Sequence, residues 1–237
     1  MKTIRPSLIR SAVGAAYGVY RRTLGGLVRK LFFTDLVVHT NNFGSTKWLG
    51  RRVWQNVFDL WTIQETIAEV RPKLLVETGT NVGGSALFYA NLFDLMGGGH
   101  VVTIDIENRH NLSHPRVTCL HGSSTSDSVV ARVRRMAAEA GGAVMVILDS
   151  DHSQQHVAEE LDLYTPFVTP GSYCLVQDGV IDTLWTFHKA RPGPLPAIRA
   201  FLKRNRDFEV DRSRTQRYPI THHPLGWLRR KAPRPSA

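Results

Sequence analysis

Five short apolar runs divide the middle of this chain, and each ends on or just before a polar group. They are KLLVE (73–77), HVVTID (100–105), RVTCL (116–120), AVMVILD (143–149) and SYCLVQD (172–178). Around them lie FDLWTIQETIAEV (58–70), GGSALFYANLFDLM (83–96), SDSVVARVRRMAAEA (126–140) and HSQQHVAEELDLY (152–164), whose apolar residues recur at helical spacing. Glycine pairs and triplets at 97–99 and 141–142 end two of these helices. A run apolar throughout, such as AVMVILD, suits a strand covered on both faces. Strand–helix alternation at this spacing predicts an α/β fold: a doubly wound, Rossmann-like parallel sheet with helices on both faces. Beyond it, prolines 192, 194 and 196 mark a loop, followed by a helix near 197–205 and strands near 207–211 and 216–221. The closing WLRRKAPRPSA reads as a frayed tail.

Ligands of such sheets bind beyond the carboxyl ends of the strands. Those ends carry Glu77 and Gly79, Asp105, the loop 121–124, Asp149, and Gln177 with Asp178. Four acids on neighbouring strand ends predict a polar site. In VETGTNVGGSALFYA (76–90) the chain leaves a strand through an acid and spends three glycines before a helix. That turn lets backbone N–H groups approach a ligand at a helix N-terminus. A phosphate loop ending in GK[ST] is absent, and the dinucleotide spacing G-x-G-x-x-G is not met. Glu77 would repel a pyrophosphate, whereas S-adenosylmethionine brings an ammonium, a sulfonium and a ribose diol that suit carboxylates. A methyltransferase is therefore favoured over a nicotinamide oxidoreductase, although Gly83 and Gly84 also suit plain tight packing. The donor-binding set expected is Glu77, Gly79, Thr80, Gly83, Gly84, Ser85, Asp105, Ser123 and Asp149.

The formal charge of +10 is unevenly spread. Residues 1–34 hold seven Lys/Arg and no acid; residues 189–237 hold thirteen and three; residues 35–188 hold ten against seventeen acids. An acidic middle between basic ends argues against nucleic acid and for arms that meet an anionic surface. In the first arm the longest uncharged stretch, residues 11–20, is half the ~20 residues that span a bilayer. Its interleaved arginines and apolar residues suit a helix lying at a membrane interface, or one packed on the core. Cys119 and Cys174, each in an apolar run, read as free thiols in a reducing compartment. The division expected is a basic helical arm (1–34), a helical lead-in (35–70), a catalytic domain (71–222) and a basic tail (223–237).

Several segments together resemble a known family: WLG and FDLWTIQETI, VETGTNVGGSALFYA, VVTIDIENR, HPRVTCLHGSSTS, and VILDSDHSQQHVAEELDLYTPFVTPGSYCLVQD. From about residue 48 to 182 the chain is similar to the cephalosporin hydroxylase / rhamnosyl O-methyltransferase family. The resemblance implies a class I methyltransferase with a seven-stranded sheet whose last strand is antiparallel. It implies S-adenosylmethionine as donor and Mg²⁺ held by Asp149, Gln177 and Asp178. His152 would be the general base, with Asp149 beside it in the catalytic pair. Relatives usually carry Glu where this chain has Gln177; an amide oxygen brings one charge fewer, so either the metal is held more weakly or Asp151 is recruited.

The acceptor implied is a sugar hydroxyl, rhamnosyl by the nearer branch, on a cell-envelope glycolipid. The alternative is a cephalosporin-hydroxylase-like enzyme acting on an antibiotic or other secondary metabolite. Partners expected are the glycosylated substrate, a membrane surface met by the arm, and a second copy of the chain, with no nucleic acid. The location expected is cytoplasmic, including the inner membrane face. Rival readings stay open: Asp149 also suits capping of the helix near Ser153, and His156 reads as a packed or exposed helix residue. Trp54, Trp61, Tyr89 and Phe93 read as core by their spacing. Trp185, Asp182 and His188 are candidates for the acceptor side.

Overall fold

A computed structural model describes residues 6–38 and 42–232. Contacts divide the chain into two units, residues 1–41 and 42–237. In the first, helix α1 (Pro6–Thr23) is followed by α2 (Gly25–Val38), so helical structure runs past residue 34. No helix among the described residues is long and apolar enough to cross a membrane.

The second unit opens with one helical turn, α3 (Asn42–Ser45), and a hairpin of β1 (Lys47–Trp48) and β2 (Arg51–Arg52). Then come α4 (Val57–Val70), β3 (Leu74–Thr78), α5 (Gly84–Leu95), β4 (His100–Asp105) and β5 (Val117–His121). They are followed by α6 (Asp127–Glu139), β6 (Val144–Leu148), α7 (Gln154–Tyr164), β7 (Tyr173–Val176) and α8 (Pro194–Arg204). The chain closes with β8 (Phe208–Val210), a short α9 (Arg212–Thr215) and β9 (Trp227–Arg230). The seven-stranded sheet has the order β5-β4-β3-β6-β7-β9-β8. Strands β5 through β7 run parallel, while β9 is antiparallel to both β7 and β8.

Alternate residues of each strand feed two separate cores, as the two-residue period requires. Val76, Val102, Val146 and Leu228 pack with residues of α6, α7 and α8 on one face. Leu75, Val101, Met145 and Trp227 pack with Ile63, Ile67, Tyr89 and Phe93 on the other. Chain direction across the sheet reverses between β3 and β6, so their carboxyl ends flank the crevice where such folds bind ligands.

The C-terminal third corrects the sequence reading. Strand 216–221 does not form. That segment is pinned to α4 instead: Arg217 grips Glu65 through two hydrogen bonds of 2.7 and 2.8 Å, and Tyr218 packs on Phe58. Pro219 also denies it a ladder donor. WLRR, expected to fray within the tail 223–237, is β9, an interior strand with Trp227 and Leu228 fully buried. Residues 233–237 lie outside those described. Helix α8 starts at Pro194, because proline suits a first turn whose N–H groups have no intrahelical partner.

Candidate active site

The glycine turn brings β3, β6 and α5 together at the crevice. Gly79 has φ +91°, and a Cβ there would stand 2.0 Å from the Asp149 carbonyl oxygen. Only a residue without a side chain allows that approach. At Gly84 a Cβ would lie 1.8 Å from the Arg52 carbonyl, so this glycine packs the loop against β2. Gly83, in the left-handed region at φ +78°, caps α5 and faces Leu112 rather than the crevice. Asp105, ending β4, is fixed on both oxygens: Oδ2 accepts the Asn81 N–H at 2.7 Å and Oδ1 the Glu107 N–H at 2.9 Å.

A cavity of about 500 Å³ opens over these strand ends. Its wall includes Gly79, Thr80, Gly84 and Ser85, then Asp105, Ser123 and Ser124, then Asp149, Asp151, His152 and Asp178. Of the residues expected there, Glu77, Gly83 and Gln177 do not border it. Glu77 is fully buried below, where its Oε2 accepts the Thr103 hydroxyl at 2.6 Å. Burial pushes its carboxyl up to about 7, against hydrogen bonds from Ser85 and Thr103. Of the four strand-end acids expected on the rim, Asp105, Asp149 and Asp178 border the cavity, and Glu77 lies beneath it.

Asp149, His152 and Asp178 offer ligand atoms all within 4.8 Å of one another. His152 Nε2 lies 3.1 Å from Asp178 Oδ2. Asp178 sits at φ +54°, a conformation uncommon outside glycine and frequent at functional sites. Burial and the nearby charges of Asp178, Glu77 and Glu160 hold the Asp149 carboxyl well above the usual range. Burial also works against ionisation of Asp178, yet its hydrogen bond with His222 and the charges of His152, His222 and His223 hold it well below that range.

Behind Asp149, Gln55 Nε2 donates to Asp149 Oδ2 at 2.9 Å and to the Gln177 amide oxygen at 2.5 Å. Turned over, the Gln177 amide would donate from its nitrogen to both Asp149 oxygens, at 3.1 and 3.2 Å. Gln177 thus meets Asp149 from outside the cavity in either setting.

Ser153 rather than Asp149 caps α7, its Oγ accepting the His156 N–H. His156 borders the cavity, with Nε2 3.1 Å from Ser124 Oγ and 3.4 Å from Glu160 Oε1; the bond to Glu160 raises its pKa. Asp182 serves α8, accepting the Gly193 and Leu195 N–H groups at 2.8 Å each, so it is a capping residue. Trp185 stacks on His188 with ring centres 4.8 Å apart, and neither borders the cavity. Tyr89 and Phe93 are core, but Trp54 and Trp61 are exposed, and Trp54 forms part of the cavity wall. Sequence reasoning did not name Gln55, read Trp54 as core, and read His156 as a packed or exposed helix residue; all three belong to the site. The only signal for the first two is their place in WQN, just ahead of the Asn56 cap of α4.

A seven-stranded sheet in this order, with a glycine turn at its switch point and acids on successive strand ends, is the class I methyltransferase fold. Comparison with protein families matches residues 41–231 to Rhamnosyl O-methyltransferase/CmcI, and the chain belongs to that family. The Rhamnosyl O-methyltransferase of Mycobacterium tuberculosis (strain ATCC 25618 / H37Rv) is 32% identical over 235 residues, covering 92% of this chain and 95% of that protein. That of Mycobacterium leprae (strain TN) is 32% identical over 194 residues, covering 80% and 85%. A solved CmcI structure with Mg and SAM superposes with a TM-score of 0.62 at 20% identity, over 81% of this chain and 78% of that one. The chain is accordingly a S-adenosylmethionine-dependent O-methyltransferase.

Proposed function

We propose that this enzyme methylates a sugar hydroxyl, a rhamnosyl one, on a glycolipid, with Mg²⁺ in the site. The observation that carries the reading is one cavity shared by two chemistries. On one side stand the glycine turn, Asp105 and Ser123; on the other, Asp149, His152 and Asp178. The first set suits the donor. Asp105 faces its ribose diol, N–H groups of the turn and Ser85 meet its amino-acid end, and Glu77 adds negative charge from below.

The second set fits a hard dication. Two carboxylates and an imidazole converge within 4.8 Å. Burial and the neighbouring charge of Asp178 raise the Asp149 pKa, and a cation would relieve the repulsion between the two carboxylates. Asp149 and Asp178 would hold it, with Gln177 behind. When bound, such a cation supplies Lewis acidity toward the acceptor hydroxyl. Asp178 accepts from His152 Nε2, which leaves Nδ1 with the lone pair that takes the hydroxyl proton. General-base help of this kind is worth about 10²–10⁴-fold. The cavity holds hydroxyl and methyl in line, and Trp54 offers a flat apolar face for the sugar. An iron oxygenase would want two histidines and one carboxylate, whereas this cluster supplies one and two.

The arm fits an acceptor carried in a bilayer. Among the described residues, nine large apolar side chains are exposed between residues 13 and 38, against seven in the far longer second unit. Leu24, Leu27, Val28 and Leu31 recur at helical spacing along one stripe, amid the seven basic residues of the first 34. Such a stripe suits an anionic lipid surface, the inner face of the membrane.

The test is incubation with labelled S-adenosylmethionine and a panel of rhamnosylated lipids, with and without EDTA, beside donor binding by calorimetry. Transfer to a rhamnosyl lipid that EDTA abolishes, and donor binding that Asp105→Ala abolishes, are the expected results. No donor binding by the folded wild type would overturn the reading. Transfer only to soluble secondary metabolites would replace the glycolipid with the alternative acceptor.

A further inference from the structure

Two consecutive histidines, His222 and His223, lie behind the cavity on the stretch that leads into β9, both almost wholly buried. Their backbone hangs on α4. Asp59, itself 2% exposed, accepts the His222 N–H on Oδ2 at 2.8 Å and the Thr221 hydroxyl on Oδ1 at 2.6 Å. Thr221 Oγ1 in turn accepts the His223 N–H at 3.1 Å. From this anchor both rings reach Asp178. His222 Nδ1 stands 3.4 Å from Asp178 Oδ1, on the side of the carboxylate opposite His152. His223 Nδ1 accepts the Asp178 backbone N–H at 3.2 Å, which puts that ring's proton on Nε2, 3.8 Å from Asp59 Oδ2. Two residues further on, Val180 donates its N–H to the His222 carbonyl at 3.0 Å. Gly179 lies so close to the Pro224 carbonyl that a Cβ would stand 2.9 Å from it.

These contacts fall on one residue from three directions. The backbone N–H of Asp178 is taken by His223, one carboxylate oxygen faces His222, and the chain just after it is hydrogen-bonded to the same segment. A non-glycine residue at φ +54° persists only where its surroundings over-determine it. Nothing else among the hydrogen bonds of the described residues reaches the Asp178 N–H. A buried Asp–His arrangement is poor evidence for stability, since desolvation offsets much of the attraction. It is better suited to fixing a geometry, and the geometry fixed is that of the carboxylate that faces His152.

We infer that Asp59, His222 and His223 form a buried clamp that sets the backbone and carboxylate of Asp178, and so the hold of the site on its cation and on His152. They are positioning residues: none borders the cavity. The inference rests on the role proposed above for Asp178. It adds that the acid after β7 is aimed from α4, through histidines 44 and 45 residues further along the chain, rather than by its own loop.

The experiment compares wild type with His222→Leu, His222→Asn and Asp59→Asn. Asparagine keeps an amide nitrogen near the place of Nδ1; leucine keeps volume only. Four quantities are read for each: melting temperature, S-adenosylmethionine affinity, Mg²⁺ affinity by calorimetry, and kcat for the acceptor. In His222→Leu, Mg²⁺ affinity and kcat should each fall about 10–100-fold, as supporting residues of metal sites do. Donor affinity should stay within about two-fold, the donor's side of the cavity being untouched. His222→Asn should recover most of both losses.

A folded His222→Leu that keeps Mg²⁺ affinity and kcat at wild-type level overturns the clamp. So does one that loses donor affinity in equal measure, which would mark a general structural defect. Should His222→Leu not fold, Asp59→Asn decides on the same four readings, because it leaves both rings in place. If the wild type binds donor and Mg²⁺ but methylates none of the lipids offered, the acceptor reading fails alone, and Mg²⁺ affinity still decides the clamp.

Discussion

Glutamine at position 77 should make the protein more stable at neutral pH and a poorer binder of its donor. Glu77 is fully buried, and burial is the main reason its carboxyl titrates at about 7 instead of 4.5. The folded state therefore keeps a proton that the unfolded chain has already released between those two values. Stability tied to this group is fully present below pH 4.5 and is lost as the pH rises through 7. The shift of 7 − 4.5 pH units, at about 1.36 kcal/mol each, comes to about 3 kcal/mol at pH 8. Glutamine cannot ionise and is spared that loss. For a domain of this size 1 kcal/mol moves Tm by about 2–4 °C, so Glu77→Gln should melt about 6–12 °C above wild type at pH 8, relative to their difference near pH 4.5. The assay is thermal melting followed by circular dichroism from pH 4.5 to 8, without donor; the comparison across pH cancels any fixed cost of the amide. Adding S-adenosylmethionine should stabilise wild type more than the variant, because the carboxylate beneath Ser85 attracts a cation. A Tm difference constant across the pH range would refute the reasoning.

Three other perturbations report on separate parts of the structure. Gly79→Ala places a Cβ against the Asp149 carbonyl at a φ that L-residues avoid; donor binding by calorimetry should be lost, with a destabilisation of about 1–3 kcal/mol or more. Gln177→Glu puts a second carboxylate against Asp149, so Mg²⁺ affinity should rise on the order of ten-fold while Tm in EDTA falls. Trp227→Ala hollows the core under β7 and β9; a loss of about 3–5 kcal/mol in denaturant melts is expected, and a near-neutral result would mean that β9 is not the interior strand described.

Much of the parallel half of the sheet was readable because its strands are buried on both faces. KLLVE and AVMVILD have no polar face to blur them, and the acid or glycine after each marks where the backbone turns. The cavity followed from the same logic, since strand ends adjacent in a parallel sheet deliver Asp105, Asp149 and Asp178 to one edge. Glu77 was misplaced by one pleat: it still belongs to β3, and its side chain points into the core beneath the turn. The antiparallel half was opaque. Trp227 and Leu228 precede two arginines in a basic stretch, and only their neighbours β7 and β8 make them a strand. The 216–221 segment has strand-like residues, yet its ion pair and aromatic contact to α4 win, and those partners lie some 150 positions earlier in the chain. Gln55, Asp59, His222 and His223 were hidden for that reason too: no local pattern says that a helix start and the approach to β9 meet behind Asp178.

Because β9 is inserted between β7 and β8, the outermost strand has no other partner in the sheet. Any fluctuation that peels β9 away must therefore release β8 with it and slacken the neighbouring His222–His223 segment. Amide protons of Phe208–Val210 should exchange no more slowly than those of Trp227–Arg230, and both should exchange faster than the parallel centre. The far rim of the sheet is in this way tied to the chemistry: looseness at the last strand would be felt as a poorly aimed Asp178 well before the parallel strands open.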